Sequence, residues 1–335
     1  MQGTTGNSNP LHQVVAALYP LIEPKLKWQI GELNLIKEVR FGEGNQVTVR
    51  IDLLTDDEAQ KAGFKAQAEI ALKALGFDPS IQLFKMLVAI NGLEGVAKVI
   101  LVGSGKGGVG KSTIATYLAL ALRDLGLKVG MMDADIHGPS QAILLANNQR
   151  PQVLDNEMLL PLTAKGIKFI STASLVPADK AIAWRGQLVS GTLLQFIRNT
   201  AWGSLDVLVI DLPPGTGEVQ LTLAAELKTQ GVILVTMPQE IVLGDVRRAL
   251  ALYREKEIPV LGQVLNMASY ICDHCGQEKE IFPSSRTPLT EVPTLARLPL
   301  DPALALAADE GRDLPEGALK EIFMQLARGV GYTDQ

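Results

Sequence analysis

Gly105-x-x-x-x-Gly110-Lys111-Ser112 satisfies the pattern G-x-x-x-x-G-K-[ST] in full, a spacing suited to holding phosphate groups. Backbone without Cβ can wrap closely round phosphates and turn successive N–H groups inward, so the binding stretch takes in Gly105, Lys106, Gly107, Gly108, Val109 and Gly110. Lys111 would reach the β/γ-phosphates of a nucleotide and the Ser112 hydroxyl would ligate Mg²⁺, with Thr113 next in the same turn. Asp133-Ala134-Asp135 runs on into Ile136-His137-Gly138-Pro139-Ser140. A carboxylate there can orient the water that attacks a γ-phosphate, while the loop after it senses that phosphate. Asp206-Val-Leu-Val-Ile-Asp211 ends in a second carboxylate, placed to accept hydrogen bonds from Mg²⁺-bound waters or from Ser112. The turn after it, Leu212-Pro213-Pro214-Gly215-Thr216-Gly217, is a candidate conformational switch.

The chain has two cysteines, and Cys272-Asp273-His274-Cys275 puts both in one C-x-x-C. Two sulfurs on one side of a tight turn suit a single metal centre. Four-coordinate zinc and [4Fe–4S] clusters each want about four ligands. A Cys₄ site therefore requires two chains, as a two-fold axis would supply. Zinc, with His274 nearby, and dithiol redox chemistry remain open on these residues alone.

These groups need a scaffold, and the apolar pattern supplies one. Ala97–Val102, Val129–Met132, Ile167–Ser171, Val207–Ile210, Val232–Val235 and Val260–Leu265 read as buried strands. Helical periodicity falls between them: after Ser112 (Ile114, Ala115, Leu118, Leu122, Leu125), and at Gln187–Arg198, Glu218–Leu227 and Gly244–Lys256. Alternation of this kind predicts an α/β fold, a parallel sheet with helices on both faces, its ligands at the carboxyl ends of the strands. Ahead of it, Val14, Leu18 and Leu21-Ile22 suit a helix, and Ile36–Phe41 and Val47–Leu53 alternate as strands about the turn Gly42-Glu43-Gly44-Asn45. Asp56, followed by Asp57 and Glu58, is expected to cap a helix to about Leu75. The expected organisation is a small α+β domain over 11–77, an apolar, packed linker over 78–96, and the phosphate-binding domain over 97–330.

Over its 335 residues the chain is 47% hydrophobic and 20% charged, ordinary for a globular protein. Its net charge of −5 argues against broad nucleic-acid binding. No run of eighteen uncharged apolar residues is present, and the polar start MQGTTGNSNP has neither the basic nor the apolar part of a signal peptide. A cytoplasmic protein without membrane or nucleic-acid partners is expected. The apolar stripe Leu319, Ile322, Phe323, Leu326 carries a mixed-charge opposite face and is expected to pack on the sheet.

Lys106, the second lysine of KGGVGKS, makes the loop resemble the deviant P-loop of the MinD/ParA, nitrogenase iron protein and Mrp/ApbC group. In that group this lysine reaches across a dimer to the partner's nucleotide, which implies a homodimer and ATP. Asp133–Ser140 resembles the D-x-D-x-x-G-P-S stretch of Mrp proteins, and by that match Asp135 is the catalytic position and Asp133 its neighbour in support. DLPPGTG is similar to the same family's second switch. Trp184-Arg185-Gly186 resembles its W-R-G-P, with Gln187 where proline is usual. Asn266 matches the asparagine that faces adenine, whose edge suits an amide donor–acceptor pair, although Leu265 replaces the usual glutamate. Asn266-Met267 through Tyr270 to Gly276 resembles the family's cysteine motif and implies a labile [4Fe–4S] cluster bridging two chains. Residues 11–77 resemble the iron–sulfur-assembly domain fused ahead of Mrp proteins, with Glu23-Pro24-Lys25 in place of the acidic-Pro-Glu turn and no cysteine after the second strand.

The resemblance implies an ATPase that assembles a cluster at a homodimer interface, takes it from a donor and transfers it to apoproteins. Its catalytic residues would be Lys106, Lys111, Asp135 and Asp211, and its cluster ligands Cys272 and Cys275. A ParA/MinD-type positioning switch would share the nucleotide site but would need a basic DNA or membrane surface, and has no use for C-x-x-C.

Overall fold

Asn9 caps the first helix, α1 (Pro10–Leu18), by accepting the Leu11 N–H at 3.0 Å, and Pro10 presets the helical φ. The helix stops before Leu21-Ile22, which helical spacing had included, because Pro20 cannot continue it. Strands β1 (Ile36–Phe41) and β2 (Gln46–Leu53) pair antiparallel about the expected Gly42–Asn45 turn, with Gly44 at φ +65°. Helix α2 (Glu58–Lys73) is capped by Asp57, whose carboxylate accepts the Ala59 and Gln60 N–H groups at 2.8 and 3.1 Å. Asp56, the cap expected from sequence, lies outside the described residues. Residues Asp78–Lys85, expected to begin the linker, form β3 and pair parallel with β2.

The computed structural model describes residues 9–25, 29–31, 35–55, 57–85, 93–136, 138–153, 158–172, 186–215, 217–227, 229–272, 274–282 and 289–332. It divides into one unit of Met1–Gly95 with Ala201–Ser204, and a second of Val96–Thr200 with Leu205–Gln335. His137, Trp184, Arg185, Thr216 and Asp273, named above, lie outside the described residues.

The second unit begins with β4 (Val99–Ser104), α3 (Lys111–Asp124), β5 (Val129–Asp133) and the short α4 (Gln141–Leu144). Next come β6 (Gln152–Val153), β7 (Leu159–Leu160), β8 (Leu162–Ala164), β9 (Ile167–Ser171), α5 (Gly186–Arg198), β10 (Val207–Asp211) and α6 (Glu218–Glu226). Then follow β11 (Gly231–Thr236), α7 (Glu240–Glu255), β12 (Val260–Leu265), β13 (Ser269–Ile271), β14 (Glu278–Glu280), β15 (Thr294–Arg297), α8 (Pro302–Asp309) and α9 (Ala318–Gly329). Every residue of β4, β5, β10 and β11 is buried, as continuous apolar runs require in a sheet covered on both faces.

The large sheet has the order β15-β12-β11-β4-β10-β5-β9-β8, parallel throughout except for the antiparallel edge pair β8–β9. The fold is thus α/β, with β4 at its centre. The chain leaves β4 for β5, returns to β10 between them, and then crosses to β11 on the other side. Connections diverge there, so a crevice opens at the carboxyl ends of β4, β10 and β5.

Helix α3 fits against this sheet with ten buried residues, from Lys111 to Leu122. Helix α9 packs on α3 and β15, with Phe323 tilted against Tyr117 at a ring distance of 5.5 Å. Among the described residues no helix is long and apolar enough to cross a membrane. Phe323 is buried, so Phe323→Ala should cost about 3–5 kcal/mol of unfolding free energy. Denaturant unfolding of the full chain checks this, and a loss below about 1 kcal/mol would show that the α3–α9 contact carries little.

Candidate functional site

The loop between β4 and α3 bends through left-handed backbone at Gly108 (φ +80°) and Gly110 (φ +84°). At Gly110 a Cβ would lie 2.3 Å from Asn266 Nδ2, and at Gly105 it would lie 2.8 Å from the backbone of Asp245. Close approach therefore demands glycine at both positions, and torsion demands it at Gly110 as well. Asn266, at the end of β12, donates its side-chain amide to the Val109 carbonyl at 2.9 Å and braces the loop from behind. The resemblance pairs this asparagine with adenine; the observed partner of its Nδ2 is the loop itself.

Lys111, first residue of α3, turns its ammonium inward. It is buried, forms an ion pair with Asp211 Oδ1, lies 3.3 Å from Ser112 Oγ, and stands 4.0 Å from Asp135 Oδ2. Asp211 ends β10 and Asp133 ends β5, and the two are direct partners in the parallel register. Sheet geometry alone thus brings the P-loop and both aspartate motifs to one place. Ser112 and Thr113 are half-buried beside them. Lys106 lies half-exposed on the rim, 3.8 Å from Asp245 Oδ2 on α7.

Asp133 organises the loop after β5. Its Oδ1 accepts the Asp135 N–H at 3.1 Å, and its Oδ2 accepts from Ser140 N (3.0 Å), Gln141 N (3.1 Å) and Ser171 Oγ (3.0 Å). Burial, then the nearby charge of Asp211, pushes its carboxyl up to about 7, against the opposing pull of those hydrogen bonds. Asp135 accepts the Gly138 N–H at 3.2 Å. The Ser140 hydroxyl is buried and finds no partner among the described residues.

Sequence reading passed over Gln141 and Thr116, both fully buried at this site. The available signal was a lone amide opening the apolar run Ala142–Leu145 and a hydroxyl one turn after Ser112 on α3. Gln141 Nε2 donates to Asp211 Oδ2 (3.0 Å) and to the Ser112 carbonyl (3.2 Å), and its Oε1 accepts from Thr116 Oγ1 (2.6 Å).

One ammonium among carboxylates and hydroxyls is a hard-oxygen donor set with surplus negative charge, the set that suits Mg²⁺. Ser112, Asp211 and Asp135 are the residues that could hold it.

Cys272 and Cys275 sit elsewhere, at the tip of the β13–β14 hairpin outside the large sheet. The tip is closed by Cys272 N to Gln277 O at 3.0 Å and Gly276 N to Cys272 O at 2.8 Å, with Gly276 at φ +67°. Cys275 is exposed, and so are Tyr270 and Ile271 on the approaching strand. Among the described residues no group of three or more His, Cys, Asp or Glu side chains is placed to hold a metal.

A family model described as ParA, NUBPL iron-transfer P-loop NTPase, matches residues 95–330. The chain belongs to this family. A Deinococcus radiodurans protein named iron-sulfur cluster carrier protein is 36% identical over 327 residues, covering 96% of this chain and 93% of its own. One of the same name from Pseudomonas fragi is 43% identical over 253 residues, covering 72% and 88%. Among solved structures, the nucleotide-binding protein in complex with ADP from Archaeoglobus fulgidus superposes with a TM-score of 0.60 at 32% identity, covering 74% of this chain and 99% of that one. The septum site-determining protein MinD of Pyrococcus horikoshii, complexed with Mg-ADP, shares the fold at a TM-score of 0.52 and 23% identity, over 70% and 96%. The P-loop, both aspartate motifs and the cysteine hairpin of this iron-transfer NTPase family member all lie within the matched span.

A carboxyl held near 7 in the folded chain, against 3.8 ordinarily, keeps a proton that the unfolded chain has already lost. Stability from this group is therefore full at low pH and is lost as pH rises through about 7. Asp133→Asn should flatten that dependence: between pH 5 and 8, without nucleotide, wild-type Tm should fall more than the variant's. Thermal melts at the two pH values check this, and parallel falls would remove Asp133 as the titrating group.

Proposed function

We propose that this chain binds and hydrolyses ATP and carries an iron–sulfur cluster, assembled as [4Fe–4S] between two copies of itself and transferred to apoproteins. The observation that carries the reading is a two-thiol hairpin, exposed at Cys275, on the same unit as a buried Lys111–Asp211 phosphate site. Relatives named for carrying iron–sulfur clusters support it. Reduced, accessible thiols suit a cytoplasmic setting. The unit ahead of Val96 would act in docking donor or recipient proteins, since it contributes neither thiol nor P-loop residue.

Hydrolysis joins a water oxygen to the γ-phosphorus as the bond to the bridging β–γ oxygen breaks. Lys111 would leave Asp211 for the β/γ-oxygens and offset their charge. Asp135 would orient the attacking water and accept its proton, and the N–H groups of Gly107–Gly110 would receive the phosphates. Mg²⁺, when bound, supplies charge neutralisation at the β- and γ-oxygens; Ser112 and Asp211 would hold it. Lys106, free on the rim apart from Asp245, would complete the partner chain's site. Asn266 would meet adenine with the edge of its amide not committed to Val109.

The two lysines should separate. Lys111→Ala should weaken ATP binding by roughly 10–100-fold, the loss expected for hydrogen bonds to a charged group. Lys106→Ala should bind ATP near normally yet slow hydrolysis by on the order of 10³-fold, as for a charge supplied in trans. Filter binding and phosphate release measure the two effects, and unaltered turnover in Lys106→Ala would overturn the shared-site reading.

Anaerobic reconstitution should yield roughly four iron and four sulfide per dimer. Cys272→Ala and Cys275→Ala should each abolish it while leaving ATP binding intact, because symmetry removes two ligands at once. Four iron on a stable monomer, or tightly held zinc, would refute the bridging cluster.

A further inference from the structure

Asp211 has both oxygens engaged. Oδ1 takes the Lys111 ammonium, and Oδ2 takes the Gln141 side-chain amide at 3.0 Å. When Lys111 moves to a phosphate, Gln141 is the contact that keeps the carboxylate plane in place. The amide is well suited to that task. Of its four hydrogen-bonding positions, two donors and one acceptor are used, all on the nucleotide-site elements α3 and β10. The residue is fully buried, so no water competes. Its backbone N–H is also held, by Asp133 Oδ2 at 3.1 Å, at the point where the loop 135–140 ends and α4 begins.

We infer that Gln141 is a positioning residue for Asp211, fixing the carboxylate that holds Mg²⁺ and tying it to the loop that follows Asp133. The inference rests on the proposed nucleotide site. A carboxylate left with one unpaired oxygen in a dry pocket would rotate or draw in water, and its second oxygen would lose its direction. The Ser112 carbonyl, held by the same amide, fixes the turn of α3 that carries the Ser112 hydroxyl. A flipped amide would set its oxygen against two acceptors, Asp211 Oδ2 and the Ser112 carbonyl, and the Thr116 hydroxyl, which lies 2.6 Å from Oε1 and 2.8 Å from that same carbonyl, supports the observed orientation. Gln141 thus sets two oxygen donors of one cation site relative to each other, without touching the cation.

The expected consequence is confined to the Mg²⁺-dependent part of nucleotide affinity. Fluorescently labelled ADP, titrated into the full-length protein in MgCl₂ and in EDTA, gives an enhancement ratio. Gln141→Met, similar in volume but without the amide, should lower that ratio about tenfold, the loss expected for one hydrogen bond to a charged group. Affinity in EDTA should change less than about twofold, since the phosphate-holding N–H groups and Lys111 are untouched. In an Asp211→Asn background the same substitution should change the ratio no further, because the two act as a unit.

Thr116→Val removes the hydroxyl that meets the amide oxygen and should lower the ratio about threefold, one neutral hydrogen bond, so it reports independently if Gln141→Met folds poorly. An undiminished ratio in both Gln141→Met and Thr116→Val would overturn the assignment. So would equal losses in EDTA and MgCl₂, or additivity with Asp211→Asn, since each marks a general packing defect. Failure of the wild-type protein to bind labelled ADP at all would sink the nucleotide reading instead.

Discussion

A lysine at the start of α3, buried against the aspartate that ends β10, is the constraint around which the larger unit is built. Removing both charges from water costs several kcal/mol per ion, and their attraction offsets that only if every remaining lone pair and proton is satisfied. The surroundings meet this condition closely. Asp211 receives Gln141 as well as Lys111, while Asp133, its neighbour in register, collects three backbone N–H groups and a hydroxyl. The central strands are apolar along their length and polar at one end, so burial of the sheet delivers the charged ends to a single crevice. Phosphate binding needs no further scaffold. It would exchange one anionic partner of Lys111 for another.

Much of this was legible in the sequence because the physics is local. Four strands whose every residue is buried must read as unbroken apolar runs, and the G-x-x-x-x-G-K-[ST] spacing names its own loop. What escaped was non-local or polar. Strand β3 begins Asp78-Pro79-Ser80, a poor strand signal, and exists because β2 offers it a parallel partner along eight residues. Asp57 rather than Asp56 is described as the cap because its carboxylate reaches N–H groups two and three residues on, a matter of one residue that charge counting cannot resolve. Gln141 carries no motif; its role emerges only when β10, α3 and the loop after β5 converge on it.

The cysteine hairpin follows a different logic. Its strands are three residues long and its outer positions are exposed, so its form depends on the tip bonds of Cys272, Gly276 and Gln277 more than on a core. Tyr270 and Ile271 lie exposed beside the thiols. On the proposed reading, two soft ligands with apolar shoulders would be half of a symmetric four-ligand arrangement. A site exposed in this way would suit a cargo that must be both taken up and released.

The two sites are joined by a short, well-defined path. Asn266 holds the P-loop through the Val109 carbonyl, and six residues later the chain reaches Cys272. Between them Met267 adopts φ +51° and Ala268 donates to the Leu298 carbonyl at 2.9 Å, so the connection is anchored at both ends. A ligand can shift a distant equilibrium only by its difference in interaction energy between two arrangements. The Asn266–Val109 link is one neutral hydrogen bond, worth about 0.5–1.5 kcal/mol, and so can transmit a change of at most about tenfold. On the proposed reading, a larger effect of nucleotide on cluster retention would need further contacts, which Lys106 and the exposed hairpin residues would supply in a pair of chains.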